Sequence, residues 1–183
     1  MSIFPEIRTD RLLLRSLCTT DAGSIFAYRS LPEVCLYQSW NPQTRKDVGS
    51  FIKNQSTLEF NTPGWYQIAI TLGKDGSLIG DCGIHINETD ERIVEIAITI
   101  APESQSKGYA TEALKALLNL LFLELKKHRV YASVDPRNLP SMELFRRIGM
   151  RQEAHLVQSL WFKETWADDV IFAMLSSEWE KAK

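Results

Sequence analysis

Glu95 opens an apolar strand, E-I-A-I-T-I, that breaks at Ala101-Pro102, turns through Q-S-K-G-Y-A and runs into a long amphipathic helix. Two kinds of chemistry lie in that stretch. The first is anion binding: small residues at Gly108 and Ala110 let backbone N–H groups crowd round a charged guest, and the helix that follows adds unpaired donors at a positive dipole end. The dipole contributes only about 0.3–1 kcal/mol per exposed charge. Holding a pyrophosphate therefore has to be shared among the amides of Gln105, Ser106, Lys107, Gly108, Tyr109 and Ala110. The second is proton transfer. Glu95 falls on the strand face opposite Val94, Ile96 and Ile98, where a carboxylate can serve as a base. If Ile86 pairs with Val94 and Ile84 with Ile96, keeping apolar residues together, His85 lies opposite Glu95 and the two could share a water. A solvated polar strand face accounts for the same two residues without any chemistry.

Two better-known phosphate loops are absent, since neither G-x-x-x-x-G-K-[ST] nor a G-x-G-x-x-G after a strand occurs. Ile100, Gln105, Gly108 and Ala110 instead have the spacing of, and resemble, the pyrophosphate-binding signature of the GNAT superfamily of acyl-CoA-dependent N-acyltransferases. T-D-R-L-L-L-R at Thr9 to Arg15, followed by Asp21, looks like the opening strand and helix of the branch that acetylates ribosomal-protein N-termini at alanine or serine. R-V-Y-A-S-V-D-P-R-N-L-P-S-M-E-L-F-R-R-I-G-M, Arg129 to Met150, is similar to the superfamily's second CoA-side motif. These separated motifs occur in the right order and together span nearly the whole chain. The resemblance implies acetyl-CoA as co-substrate and an amine as acceptor, of the protein N-terminal kind if the branch is followed. Similar scaffolds acetylate polyamines, amino sugars or free amino acids, and a non-catalytic acyl-CoA-binding module is a rival from another class.

Acetyl transfer from a thioester to an amine needs a held thioester, a neutral amine, a polarised carbonyl and a stabilised thiolate. Ile98 and Ile100 are expected to act through backbone groups left free where their strand stops pairing, their side chains being core residues. Glu95 is the first choice of base. An α-amino group has a reference pKa of about 7.7–8.0 against about 10.4 for lysine, so an N-terminal acceptor needs only modest help to lose its proton. Many superfamily members place a tyrosine in the short helix to protonate the leaving thiolate, but here that position is Phe145, which has no proton to give. Ser141, three residues after Asn138, matches the Asn-x-x-Ser arrangement of the ribosomal-protein branch and becomes the donor; helix capping is its alternative reading. Asn138 is expected to hydrogen-bond the pantetheine arm, with capping again the alternative.

The elements that must carry these residues follow from periodicity. Leu12 to Arg15 reads as a first strand, and Thr20-Asp21 caps a helix that ends before Leu31-Pro32. Thr44 with Asp47 gives a capping-box start to a second helix bearing Val48, Phe51, Ile52, Gln55 and Leu58 on one face. Gln67 to Leu72, Leu78 to Ile86 and Arg92 to Ile100 form an antiparallel meander. The amphipathic helix that follows the Q-S-K-G-Y-A turn is expected to bury Ala110, Ala113, Leu114, Leu117, Leu118, Leu121 and Leu125. Arg129 to Asp135 is a fifth strand, Asn138 to Ile148 a short helix stopped at Gly149, and His155 to Phe162 with Trp166 to Leu175 a closing hairpin. The predicted class is α/β (α+β), a GNAT-like mixed, mostly antiparallel central sheet with helices on both faces. The resemblance places the pantetheine arm in a splay between the fourth and fifth strands.

With 183 residues and 44% hydrophobic content, the chain suits one domain over residues 1–183, and no linker divides it. A net charge of −2 without a basic patch argues against nucleic acid or an anionic membrane as partner. The apolar run from Ala116 to Leu125 is too short to span a bilayer, and no signal-peptide pattern opens the sequence. Cys18, Cys35 and Cys82 are odd in number and far apart, so neither a disulfide framework nor a zinc site is expected, and a reducing cytoplasm is the natural compartment. Cys82 and His85 fall on opposite strand faces and do not form a nucleophile pair. His85, His128 and His155 show no ligand spacing, so no metal is assigned.

Overall fold

The computed structural model describes residues 4–181. Its strands are β1 (Ile7–Arg8), β2 (Leu12–Ser16), β3 (Gly64–Leu72), β4 (Leu78–Ile86), β5 (Ile93–Ile100), β6 (Arg129–Val134), β7 (Arg151–Phe162) and β8 (Thr165–Leu175). They make one eight-stranded sheet in the order β1-β2-β3-β4-β5-β6-β8-β7. Every pairing is antiparallel except β5 with β6. The mixed, mostly antiparallel sheet expected from the sequence is therefore the one that forms.

β4 and β5 pair in the expected register, with Ile86 opposite Val94, His85 opposite Glu95 and Ile84 opposite Ile96. The physical reason is alternation: a slip of one residue would turn these fully buried isoleucines toward the polar face. On the apolar face Ile68, Ile70, Ile84, Ile96 and Val94 meet helix α4 (Tyr109–Asn119) through Ala113, Leu114, Leu117 and Leu118. Helix α5 (Leu139–Arg147) adds Met142 and Phe145 to the same layer. On the opposite face, α1 (Ala22–Arg29) and α3 (Arg45–Gln55) bury Ile25, Tyr28, Val48 and Ile52 over Ala69. That second layer covers only one end of the sheet, and the remainder of the polar face stays open.

Pro32 acts twice, closing off α1 and then opening the short helix α2 (Pro32–Cys35) at its first position. The Thr44/Asp47 capping box forms, with Asp47 N–H donating to Thr44 Oγ1 at 3.2 Å and Thr44 N–H donating to Asp47 Oδ2 at 2.8 Å. Asp21 behaves differently from expectation. A 3₁₀ turn over Thr19–Asp21 precedes α1, and the carboxylate turns back to Arg15, at 2.8 Å, and to the Cys18 N–H instead of capping α1. The end of α4 also departs from plain α geometry: Leu120–Glu124 widens into a π turn closed by Leu125 N–H on the Leu120 carbonyl at 2.9 Å. β8 slots between β6 and β7, which leaves β7 on the edge, exposed along nearly its whole length. Helix α6 (Ser176–Lys181) and β1 had no counterpart in the sequence reading. Among the described residues no helix is long and apolar enough to cross a membrane.

Candidate active site

β5 and β6 pair at three positions only: Ile93 with Arg129, Val94 with Val130 and Glu95 with Tyr131. Beyond Glu95 the strands part, because β5 stays paired to β4 up to Ile100 while β6 follows β8 up to Val134. The backbone edges that face each other across this gap make no ladder, leaving N–H and C=O groups for a guest. This is the splay expected between the fourth and fifth strands, and Glu95 sits at its vertex.

The loop beyond β5 is shaped as a nest. Ala101 N–H donates to the Ile79 carbonyl at 2.8 Å, and Ser104 and Gln105 N–H groups turn back on Ala101 and Pro102. Ser106 (φ +60°) and Gly108 (φ +81°) then take left-handed conformations immediately before α4 begins at Tyr109. Among the described residues, the N–H groups of Ser106, Lys107 and Gly108 meet no protein acceptor. Those of Tyr109 and Ala110 belong to the first turn of α4. Two side chains are already employed within the protein. Gln105 Nε2 donates to the Ile100 carbonyl at 2.9 Å, so it staples the loop to the strand end, and Lys107 Nζ donates to the Glu103 carbonyl at 2.6 Å. The Ile98 side chain is half-buried and that of Ile100 buried against the main apolar layer.

Arg11, just before β2, is a neighbour of this loop that the sequence reading did not identify. Its Nη1 donates to the Lys107 carbonyl at 2.9 Å, its Nε to Glu112 Oε2 at 2.6 Å, and its guanidinium stands over the Tyr109 ring at 4.6 Å. The T-D-R segment carried the signal, but as part of a strand opening and not as a contact to the loop.

Glu95 is half-buried on the open face. Tyr131 Oη donates to its Oε2 at 3.1 Å, and His85 Nδ1 lies 3.9 Å from the same oxygen. His85 stacks on Trp65, ring centroids 4.7 Å apart and planes 7° off parallel, and its Nε2 lies 3.1 Å from Glu88 Oε1. Burial pushes the Glu95 carboxyl above its ordinary value; Tyr131 and His85 pull it back, and the charge of Asp169 adds to the rise. Burial and the Glu95 charge push the Tyr131 phenol up to about 12, so it stays a donor across the physiological range. Beside Glu95 the floor is low: Ala97 is exposed in the middle of the sheet, and Gly83 lies next to it. A methyl group at Gly83 would come within 3.2 Å of the Trp65 ring and 3.3 Å of Gln67 Oε1. The segment after α2 bridges the open face, with Tyr37 Oη donating to the Arg137 carbonyl at 3.3 Å and Lys163 Nζ, in the β7–β8 turn, donating to the Cys35 carbonyl at 2.5 Å.

At the head of α5, Asn138 Oδ1 accepts the Ser141 N–H at 3.3 Å, so Asn138 is the helix cap. The Ser141 hydroxyl has no protein partner among the described residues, and Phe145 is buried against Phe172. Cys82 is fully buried on the apolar face, away from His85, and burial pushes its thiol well up, which suits an inert core residue. Among the described residues no cluster of three or more His, Cys, Asp or Glu side chains is arranged to hold a metal ion. Taken together, β5 and the loop beyond it bring unpaired backbone N–H groups, a gap between two strands and a half-buried carboxylate into one neighbourhood.

Comparison with known proteins identifies the family and the fold. Residues 11–151 match the family described as the acetyltransferase (GNAT) domain. The uncharacterized N-acetyltransferase YnaD of Bacillus subtilis (strain 168) is 31% identical over 175 residues, covering 95% of this chain and 99% of that protein. A crystal structure of a GNAT-family acetyltransferase from Bacillus anthracis superposes with a TM-score of 0.86 at 28% identity, covering 95% of this chain and all of the other. Spermidine N-acetyltransferase from Vibrio cholerae, solved in complex with CoA and spermine, has a TM-score of 0.80 at 22% identity, covering 94% and 99% of the two chains; at that identity the likeness is one of fold.

Proposed function

This chain belongs to the GNAT family of acetyltransferases, enzymes that use acetyl-CoA, and on that premise we propose that it moves the acetyl group by direct attack of an amine on the bound thioester, with a protein N-terminal α-amine as acceptor. The observation that carries the reading is the alignment of nest, strand gap and Glu95 along one edge of β5. The diphosphate of CoA is held by the amides of Ser106 to Ala110, the Gln105 N–H being already taken by the Pro102 carbonyl, with Lys107 close by, and the pantetheine arm lies between β5 and β6 against backbone groups of Ile98 and Ile100. Asn138, whose Oδ1 is taken up by capping, meets the arm through its amide Nδ2. Glu95 accepts the proton that the attacking amine loses, and Tyr131 holds the carboxylate oriented. Ser141 gives a hydrogen bond to the departing thiolate through its hydroxyl, which has no partner among the described residues, its N–H being the group that meets Asn138. A thiol of reference pKa about 8.5 needs no stronger acid than that.

The acceptor assignment rests on the residues of the ribosomal-protein branch, Thr9 to Arg15 and Asn138 to Ser141, so a ribosomal-protein N-terminus is the first partner to test. Polyamine or another small amine is the second reading, favoured by the fold neighbour solved with spermine. The three unpaired cysteines suit work in a reducing cytoplasm. Mass spectrometry of peptides with free N-termini, run beside a panel of small amines with acetyl-CoA, separates the readings. Acetylation at peptide α-amines supports the proposal, transfer only to polyamines replaces the acceptor, and tight CoA binding without release of free CoA in any mixture makes the protein a binding module.

Ser141→Ala is expected to lower kcat about 10-fold while changing the Kd for CoA less than about 3-fold, the signature of an interaction made as charge develops on sulfur. A loss confined to binding assigns Ser141 to the helix end alone.

A further inference from the structure

Helix α4 carries a carboxylate, Glu112, in the first turn of what should be an anion-binding end. Burial alone favours its neutral form, but the Thr9 hydroxyl and Arg11 outweigh that and hold it below the ordinary carboxylate range, so it is ionised. An ionised carboxylate there is itself favoured by the positive end of the helix dipole, so it offsets the field that would attract a diphosphate and repels that group. The chain meets this conflict from a distant segment. Thr9 Oγ1 donates to Glu112 Oε1 at 2.5 Å, Arg11 N–H donates to the same oxygen at 3.0 Å, and Arg11 Nε and Nη2 both lie 2.6 Å from Oε2. Arg11 Nη1 meanwhile takes the Lys107 carbonyl, and Nη2 sits 3.4 Å from where a Gly108 side chain would begin.

The geometry points to Arg11 as a further positioning residue: it neutralises Glu112 and draws the Lys107 carbonyl aside, so that the amides from Ser106 to Ala110 present an all-donor surface to a diphosphate. This rests on the proposed use of that loop for CoA. The arrangement needs a planar fork, because three nitrogens of one side chain serve two acceptors in different directions, a task a lysine ammonium does not reproduce.

The test compares acetyl-CoA with acetyl-pantetheine, which lacks the diphosphate, in wild type, Arg11→Ala, Arg11→Lys and the double variant Arg11→Ala with Glu112→Gln, each checked by thermal melting. The ratio of kcat/KM for acetyl-CoA over acetyl-pantetheine is expected to fall about 10-fold in both single variants and to recover at least about 3-fold in the double variant, where the repelling charge is gone. An unchanged ratio, with both substrates slowed alike, reduces Arg11 to a structural tie, and so does a double variant no better than Arg11→Ala. Arg11→Lys keeps the charge and stem, so a folding defect in the alanine variant leaves the question decidable. Failure of the loop reading is recognised separately: Gly108→Trp with intact CoA affinity removes the nest whatever Arg11 does, whereas neutral Arg11 variants beside a damaging Gly108→Trp remove only Arg11.

Discussion

Gly108→Trp should raise the Kd for CoA by about 10³-fold or more, since it covers several amides whose charge-assisted hydrogen bonds are each worth about 1.5–3 kcal/mol. Two effects combine at this position. Gly108 has φ +81° and ψ 0°, a conformation that disfavours any side chain by about 1–2 kcal/mol. A Cβ here would also lie 3.4 Å from Nη2 of Arg11, so an indole would press on that guanidinium and crowd the loop whose amides are to hold the anion. Gly108→Ala separates the effects by carrying the backbone strain without the bulk. Isothermal titration with CoA reads both variants, and melting curves establish that they fold. Wild-type affinity in a folded Gly108→Trp protein would remove the diphosphate from this loop and with it the proposed orientation of the thioester.

Glu95→Gln should reduce kcat about 10²–10⁴-fold near neutral pH, the range for loss of a positioned base. The deficit should shrink as pH rises toward the acceptor's own pKa, because a free amine no longer needs the carboxylate. The wild-type profile should show an ascending limb at the Glu95 pKa, which burial lifts above the ordinary value; the variant should lack it. An unaltered profile takes Glu95 out of the reaction. Stability should move in the opposite direction. A carboxyl whose pKa is raised by folding binds its proton more tightly in the folded state, so the stability it contributes is present below the unfolded pKa and is lost as pH rises through the folded one. At neutral pH the ionised, half-buried Glu95 therefore weakens the fold, and Glu95→Gln should melt at a higher temperature there, with the gain fading in acid. Lower activity with higher stability is the mark of a group kept in an unfavourable place for its chemistry.

Much of this site was legible in the residues. The register of β4 on β5 followed from keeping Ile84, Ile86, Val94 and Ile96 together, and it placed His85 beside Glu95. The turn into α4 was marked by Gly108, and the inertness of Cys82 by its spacing from His85. Other features escaped. Tyr131 stood within a recognised motif without a role, because its pairing with Glu95 depends on the parallel meeting of two strands separated by a helix. The residue type of Asp21 suits a helix cap, yet Arg15 draws its carboxylate away. The π turn after α4 and the insertion of β8 between β6 and β7 left no periodic trace.

Strand alternation, helix faces and turn chemistry are set by neighbours two to four residues apart, so the chain declares its elements, the glycine turn into α4 and the face on which Glu95 lies before it folds. What folding alone settles is which charges meet: Arg11 reaches Glu112 across 101 residues, and Tyr131 reaches Glu95 across 36. Those contacts depend on strand order and on where two parallel strands separate, which are decided by how both faces of the sheet bury their side chains at once, and no local spacing encodes that.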